Sequence, residues 1–160
     1  MNKLLPRTLL FLAIHLGMAG VYAGEKIHPF TPDSFSQIVA SHTGKPFVIL
    51  VWGLDCEYCL ESFNALAQAQ RQHKFSVVTI ATDRADDAEA DSLIKKKLES
   101  SGLGKNMWAF SPAPPEQLRY AIDPKWRGEM PRSYWFNARA ERVAHSGVIT
   151  PETVAKLLPK

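Results

Sequence analysis

The sequence predicts an α/β fold, with a central mixed β-sheet flanked by helices, on three observations. The apolar run KPFVILVWG (45–53) leads into a segment of helical period, the pattern of a buried strand followed by a crossover helix. A second pair of the same kind follows, FSVVTIAT (75–82) and DDAEADSLIKKKLESSGLG (86–104). The chain then changes rhythm: PRSYWFN (131–137) and ERVAHSGV (141–148) read as two strands joined by the short polar turn NARA. Two strand-helix units imply parallel strands with right-handed crossovers, and the hairpin adds an antiparallel edge.

Residues 1–23 read as a secretory signal peptide, and 24–160 as one domain. Lys3 and Arg7 precede the apolar run TLLFLAIHLGMAGVY, and Ala23 stands before Gly24 as a small residue at a cleavage site. The alternative is an uncleaved N-terminal helix tethering the domain. Against it, the run is shorter than the ~20 residues a spanning helix needs, and His15, Gly17 and Gly20 interrupt it. Removing Lys3 and Arg7 from the 19 basic residues leaves 17 against 16 acidic, a net charge of +1. The basicity therefore belongs largely to the targeting segment, and no nucleic-acid surface is expected. Export, to a periplasm or beyond, places the cysteines where disulfide chemistry is possible.

In chain order, TPDSFSQIVASHTG (31–44) reads as a helix. Thr31 is its candidate N-cap and Pro32 its first residue; Phe35, Ile38 and Val39 share a face, and Gly44 ends it. After the strand at 45–53, EYCLESFNALAQAQRQHK puts Cys59, Phe63, Leu66 and Gln70 on one helical face, with Leu60 and Ala67 alongside. The helix within 86–104 has acids at its start, and Lys95, Lys96 and Lys97 read as its solvated face. NMWAFSPAPPEQLRYAIDPKWRGEM (106–130) holds a short apolar piece, a proline-rich turn and a short helix near 114–121. Beyond the hairpin, Thr150 as N-cap and Pro151 as first residue open a terminal helix.

Cys56 and Cys59 are the only cysteines, spaced Cys-x-x-Cys at a strand-to-helix junction. As a staple such a bridge closes a very short loop and restrains the unfolded chain little. A closed structural zinc site needs four ligands, and no second cysteine pair exists. A copper site remains open, with Cys56, Cys59 and a histidine, of which His145 is the best candidate.

The stretches FVILVWGLDCEYC, GEMPRSYWFN and RVAHSGVITPETVAKLL, covering the chain from about residue 30 to its end, resemble the thioredoxin fold, and more closely the exported TlpA-like thiol-disulfide proteins. This likeness implies that Cys56 is the nucleophile, its thiolate favoured by the helix N-terminus, and that Cys59 is the shielded resolving thiol. It also implies a cis Met130–Pro131 peptide facing the cysteines, where the Met130 backbone offers an edge to an incoming peptide. Trp52, beneath the turn, and Trp126, near Met130, are counted with Met130 and Pro131 among the residues a substrate would meet. Trp108 and Trp135 read as core or groove wall.

Three positions depart from the thioredoxin pattern: Asp55 replaces the usual Trp, Tyr58 the common Pro, and Leu50 the buried acid six residues before the first cysteine. Glu61 is an alternative acid, though an exposed helix position is the simpler reading. Asp55 and Glu57 oppose a thiolate at Cys56, and Arg132 could counter them. A less stabilised thiolate makes a less oxidising couple, so a reductase of protein disulfides is expected. The resemblance offers apocytochrome c and copper-site proteins as substrates and a membrane protein as electron donor, with no cofactor. The competing classes are a copper-binding metallochaperone and a binding module that has kept the fold and lost efficient turnover.

Overall fold

The computed structural model describes residues 25–158; residues 1–23, expected to form a signal peptide, lie outside the described residues. In order, the elements are β1 (His28–Phe30), α1 (Ser34–His42), β2 (Phe47–Trp52), α2 (Cys59–Gln72), β3 (Ser76–Arg84), α3 (Ala88–Ser100), β4 (Met107–Phe110), α4 (Pro115–Ile122), β5 (Arg132–Phe136), β6 (Arg142–Ser146) and α5 (Pro151–Leu157). Six strands form one sheet in the order β1-β4-β3-β2-β5-β6. β2, β3, β4 and β1 run parallel, and β5 and β6 extend the sheet antiparallel beyond β2.

β2 lies in the middle of this sheet, and every one of its residues is buried, which is why its sequence is apolar without alternation. Val48, Leu50 and Trp52 face one layer, with Phe63, Leu66, Ile94, Leu98, Trp135 and Val154. Phe47, Ile49 and Val51 face the other, with Ile38, Leu118, Ile122 and Tyr134. Two apolar layers therefore grip the sheet, α2, α3 and α5 contributing to the first and α1 and α4 to the second.

Several boundaries differ from the sequence reading. α1 starts at Ser34 rather than after Thr31, because Ser34 Oγ accepts from the Thr31 N–H (2.9 Å) and closes a turn ahead of the helix. β1 was not expected. Its three residues include a proline, tolerated because β1 forms the sheet's outer edge beside β4. β3 runs on to Arg84, and α3 is capped by Asp87, whose carboxylate accepts from the Glu89 and Ala90 N–H groups. Leu60 lies on the solvent side of α2, 53% exposed, not alongside the buried face. The terminal helix follows expectation: Thr150 caps α5, accepting from the Thr153 N–H, with Pro151 in its first turn. No helix among the described residues is long and apolar enough to cross a membrane.

Candidate functional site

The chain leaves β2 through Gly53. A Cβ there would sit 2.9 Å from Asp55 Oδ1, 3.0 Å from Thr82 Oγ1 and 3.3 Å from Met130 Cε, so three segments converge on a position that only glycine fills without displacement. Two successive turns follow. The Cys56 N–H donates to Gly53 O (3.1 Å), the Cys59 N–H donates to Cys56 O (3.2 Å), and α2 begins at Cys59. The turns bring the two sulfurs into a disulfide, with S–S 2.07 Å and the Cα atoms 5.5 Å apart. Cys59 is 1% exposed and packs in the core, whereas Cys56 is half-buried. Only the first sulfur is open to a partner.

Opposite the turn, Met130–Pro131 is a cis peptide. The Met130 side chain reaches back to the cysteine turn, and Thr82 Oγ donates to its sulfur at 3.7 Å. Asp55, Cys56, Glu57, Tyr58 and Met130 line an open cleft of about 300 Å³. Tyr58, noted in the sequence only as replacing the common Pro, stands 67% exposed at its rim, and Leu60, expected beside the buried helix face, is exposed one residue beyond Cys59. A second groove of about 430 Å³, between α2 and α5, holds none of the candidate residues.

Other expected site residues fall elsewhere. Trp52 is fully buried, its indole edge-on to Phe63 (centroids 4.9 Å apart), and has no surface to offer a substrate. Trp126 is 5% exposed and braces the loop from within, its Nε1 donating to Glu129 O (2.9 Å). Arg132 does not counter the acids around Cys56. Its guanidinium is engaged by Asp123 (3.0 Å), Glu129 (3.3 Å), Ser146 and the Tyr134 hydroxyl, where it anchors the start of β5 directly after Pro131. Burial alone would raise Asp123, but the Lys125 N–H, the Arg132 hydrogen bond and the Arg142 charge hold its carboxyl below the usual range. Burial pushes the Tyr134 phenol up to about 12. His145 sits in β6 opposite Ser133 and is not grouped with the cysteines; among the described residues no three His, Cys, Asp or Glu side chains are placed to hold a metal. Leu50 is buried and Glu61 is exposed, so neither supplies an acid beneath the disulfide.

Sequence reasoning missed two charged residues behind the turn. Asp83, near the end of β3, accepts the Leu54 N–H (2.9 Å), and Lys97 of α3 donates to Leu54 O (3.1 Å). Lys97 is thus no solvated residue; its ammonium also lies 5.8 Å from the Trp52 ring centroid. The available signal was the polar ending Thr82-Asp83-Arg84 after the largely apolar start of the strand, since functional groups gather at the carboxyl ends of parallel strands.

Known structures share this fold. A secreted disulfide oxidoreductase of Mycobacterium tuberculosis, described as homologous to Escherichia coli DsbE, superposes with a TM-score of 0.54 over 73% of this chain and 82% of that one, at 18% identity. For a DsbF homologue of Corynebacterium diphtheriae the TM-score is 0.57, over 74% and 73% of the two chains at 16% identity. A thioredoxin-related protein of Neisseria meningitidis serogroup B matches at 0.57 over 74% and 85%, with 15% identity. The fold is the thioredoxin fold. No protein-family model and no curated protein matches the sequence, so the likeness is one of structure. On this thioredoxin fold the Cys-x-x-Cys pair stands at disulfide distance, at the strand-to-helix turn facing the cis proline.

Proposed function

We propose that this chain is an exported thiol-disulfide oxidoreductase that reduces disulfides in other proteins through Cys56 and Cys59. The observation carrying the reading is the unequal exposure of the pair: a half-buried Cys56 in an open cleft, bonded to a Cys59 that solvent does not reach. In the reduced protein, the Cys56 thiolate attacks one sulfur of a substrate disulfide, forming a mixed disulfide and releasing the other sulfur as a thiolate. Cys59 then gives up its proton and attacks Cys56 Sγ. This frees the second substrate thiolate and leaves the Cys56–Cys59 disulfide, two electrons having passed to the substrate. A reductant must reset the pair, and for an exported protein a membrane protein that passes electrons outward fills that role.

Cys56 is the nucleophile because it precedes α2, where unpaired backbone N–H groups favour an anion, and because an incoming sulfur can reach it. Met130 and Pro131 border the cleft where the substrate backbone would lie. The reducing direction rests on Asp55 and Glu57, which flank Cys56 and disfavour its thiolate, and Arg132 is committed elsewhere. Apocytochrome c and the copper-site cysteines of other exported proteins fit the substrate class. Export follows from residues 1–23, and N-terminal sequencing of the secreted protein is expected to start at Gly24.

Insulin reduction by the mature protein, beside a Cys56→Ser control, tests the activity, and equilibration with glutathione tests the direction. Reduction lost in the control supports the proposal. A potential in the range of the strongly oxidising exported enzymes, about −120 mV, overturns the direction. Equal inactivity of parent and control overturns the activity and leaves a binding module.

A further inference from the structure

Leu54 and Asp55 are the central residues of the turn closed by the Cys56 N–H on Gly53 O. The two backbone polar groups of Leu54 point away from that turn, and each meets a side chain from a different element. Its N–H donates to Asp83 Oδ2 from β3 at 2.9 Å, and its C=O accepts from Lys97 Nζ of α3 at 3.1 Å. The two charges are opposite, the contacts span 29 and 43 residues of sequence, and nothing in the exchange steps above uses either residue. We propose that Asp83 and Lys97 are positioning residues of the redox turn, gripping Leu54 from both sides and so fixing where the Cys56 sulfur stands relative to α2 and Met130. This inference rests on the reading of Cys56 as the exchanging thiol.

Hydrogen bonds to charged groups are stronger than neutral ones, so the clamp is well suited to holding two residues that have no ladder partner. The charged groups facing Asp83 are Asp55 on the turn and Lys97 on α3. Burial first, and then the Asp55 charge, push its carboxyl up, while the Leu54 N–H and Lys97 oppose that. The clamp also places one negative and one positive charge two residues from Cys56. Removing the first favours the Cys56 thiolate and removing the second disfavours it, a pair of opposed effects that a scaffold role would not produce.

The test uses the reduced mature protein and its Asp83→Ala, Asp83→Asn, Lys97→Met and Lys97→Arg variants. Two quantities are read: hydrogen exchange at the Leu54 amide, and the pH dependence of iodoacetamide alkylation at Cys56, located by mass spectrometry. Asp83→Ala is expected to speed Leu54 exchange about tenfold. Asp83→Asn is expected to raise the Cys56 thiolate fraction at neutral pH about threefold, and Lys97→Met to lower it by a similar factor. Lys97→Arg is expected to restore the parent profile. Where Asp83→Ala does not fold, the Asn and Met variants carry the test. Unchanged Leu54 exchange together with an unmoved Cys56 profile overturns the clamp. Insulin reduction by the parent is scored separately, so a parent without exchange activity but with these shifts sinks the oxidoreductase reading and leaves the clamp standing.

Discussion

Asp55 has one carboxylate oxygen turned over Gly53, and its residue also lines the cleft with Cys56, so its charge bears on both the turn and the sulfur. Replacing it with Asn removes a nearby negative charge, and the Cys56 pKa is expected to fall. The alkylation rate of reduced protein followed against pH measures it, and a profile identical to the parent shows the charge to be screened from the sulfur. Arg132 is a residue of another kind. It is 13% exposed in its ion pair with Asp123, itself 7% exposed, so Arg132→Met leaves a buried carboxylate short of its main partner. A loss of about 3 kcal/mol is expected from urea denaturation, moderated by the Tyr134 hydroxyl and by Arg142. The cysteines could be placed from sequence because their spacing at a strand-to-helix junction is local, and Met130–Pro131 because the resemblance to the thioredoxin fold implies it. Arg132 and Lys97 could not: each has a plausible solvent-facing reading on its own element, and the partner that claims it lies on a different one.

At the scale of elements, α5 is the clearest case of local chemistry setting a boundary. Thr150 accepts from the Thr153 N–H and Pro151 follows in the first turn, whereas α1, α2 and α4 have no side-chain cap. Thr150→Ala is expected to cost about 1 kcal/mol in chemical denaturation. α5 is further tied to α2 because Ser62 Oγ accepts the Ile149 N–H (2.9 Å), so loosening the cap also loosens the wall behind the disulfide. The hairpin was legible for a similar reason. Asn137 Oδ1 accepts the Arg139 and Glu141 N–H groups, and Ala140 takes a positive φ of 60°, so the turn is largely closed by its own residues. β1 and the start of α1 were not legible. Three residues with a proline carry no period, and the exchange of hydrogen bonds between Thr31 and Ser34 imitates a cap one turn too early.

Over the whole molecule, the titrating groups divide in sign. Asp123 and Glu129 have folded pKa values held below normal, so their stabilisation is present above the unfolded value of about 4 and is lost as pH falls through the lower folded value. Asp83 is raised, so its ionised form disfavours the folded state at neutral pH, and that penalty is relieved as pH falls through its raised value. Stability is therefore expected to change little between neutral pH and about 5 and then to drop below about 4. Urea midpoints over that range measure the curve, and Asp83→Asn is expected to raise the neutral end relative to the acid end. The layered architecture was legible because a fully buried β2 and two strand-helix units leave few alternatives. The site's electrostatics were not, since they arise where the ends of β3 and α3 meet the turn.

Gly53 sets a limit on how this site can vary. Asp55 Oδ1, Thr82 Oγ1 and Met130 Cε, all of them side-chain ends, approach the same bare Cα, so a methyl group fits there only when one of them moves aside. In a saturation library selected for thiol exchange, position 53 is expected to be enriched in glycine, with alanine next and larger residues depleted. Positions 57 and 58, whose side chains face open solvent, are expected to accept many residues, so an experimenter retuning the couple has more freedom on the outside of the turn than at Gly53.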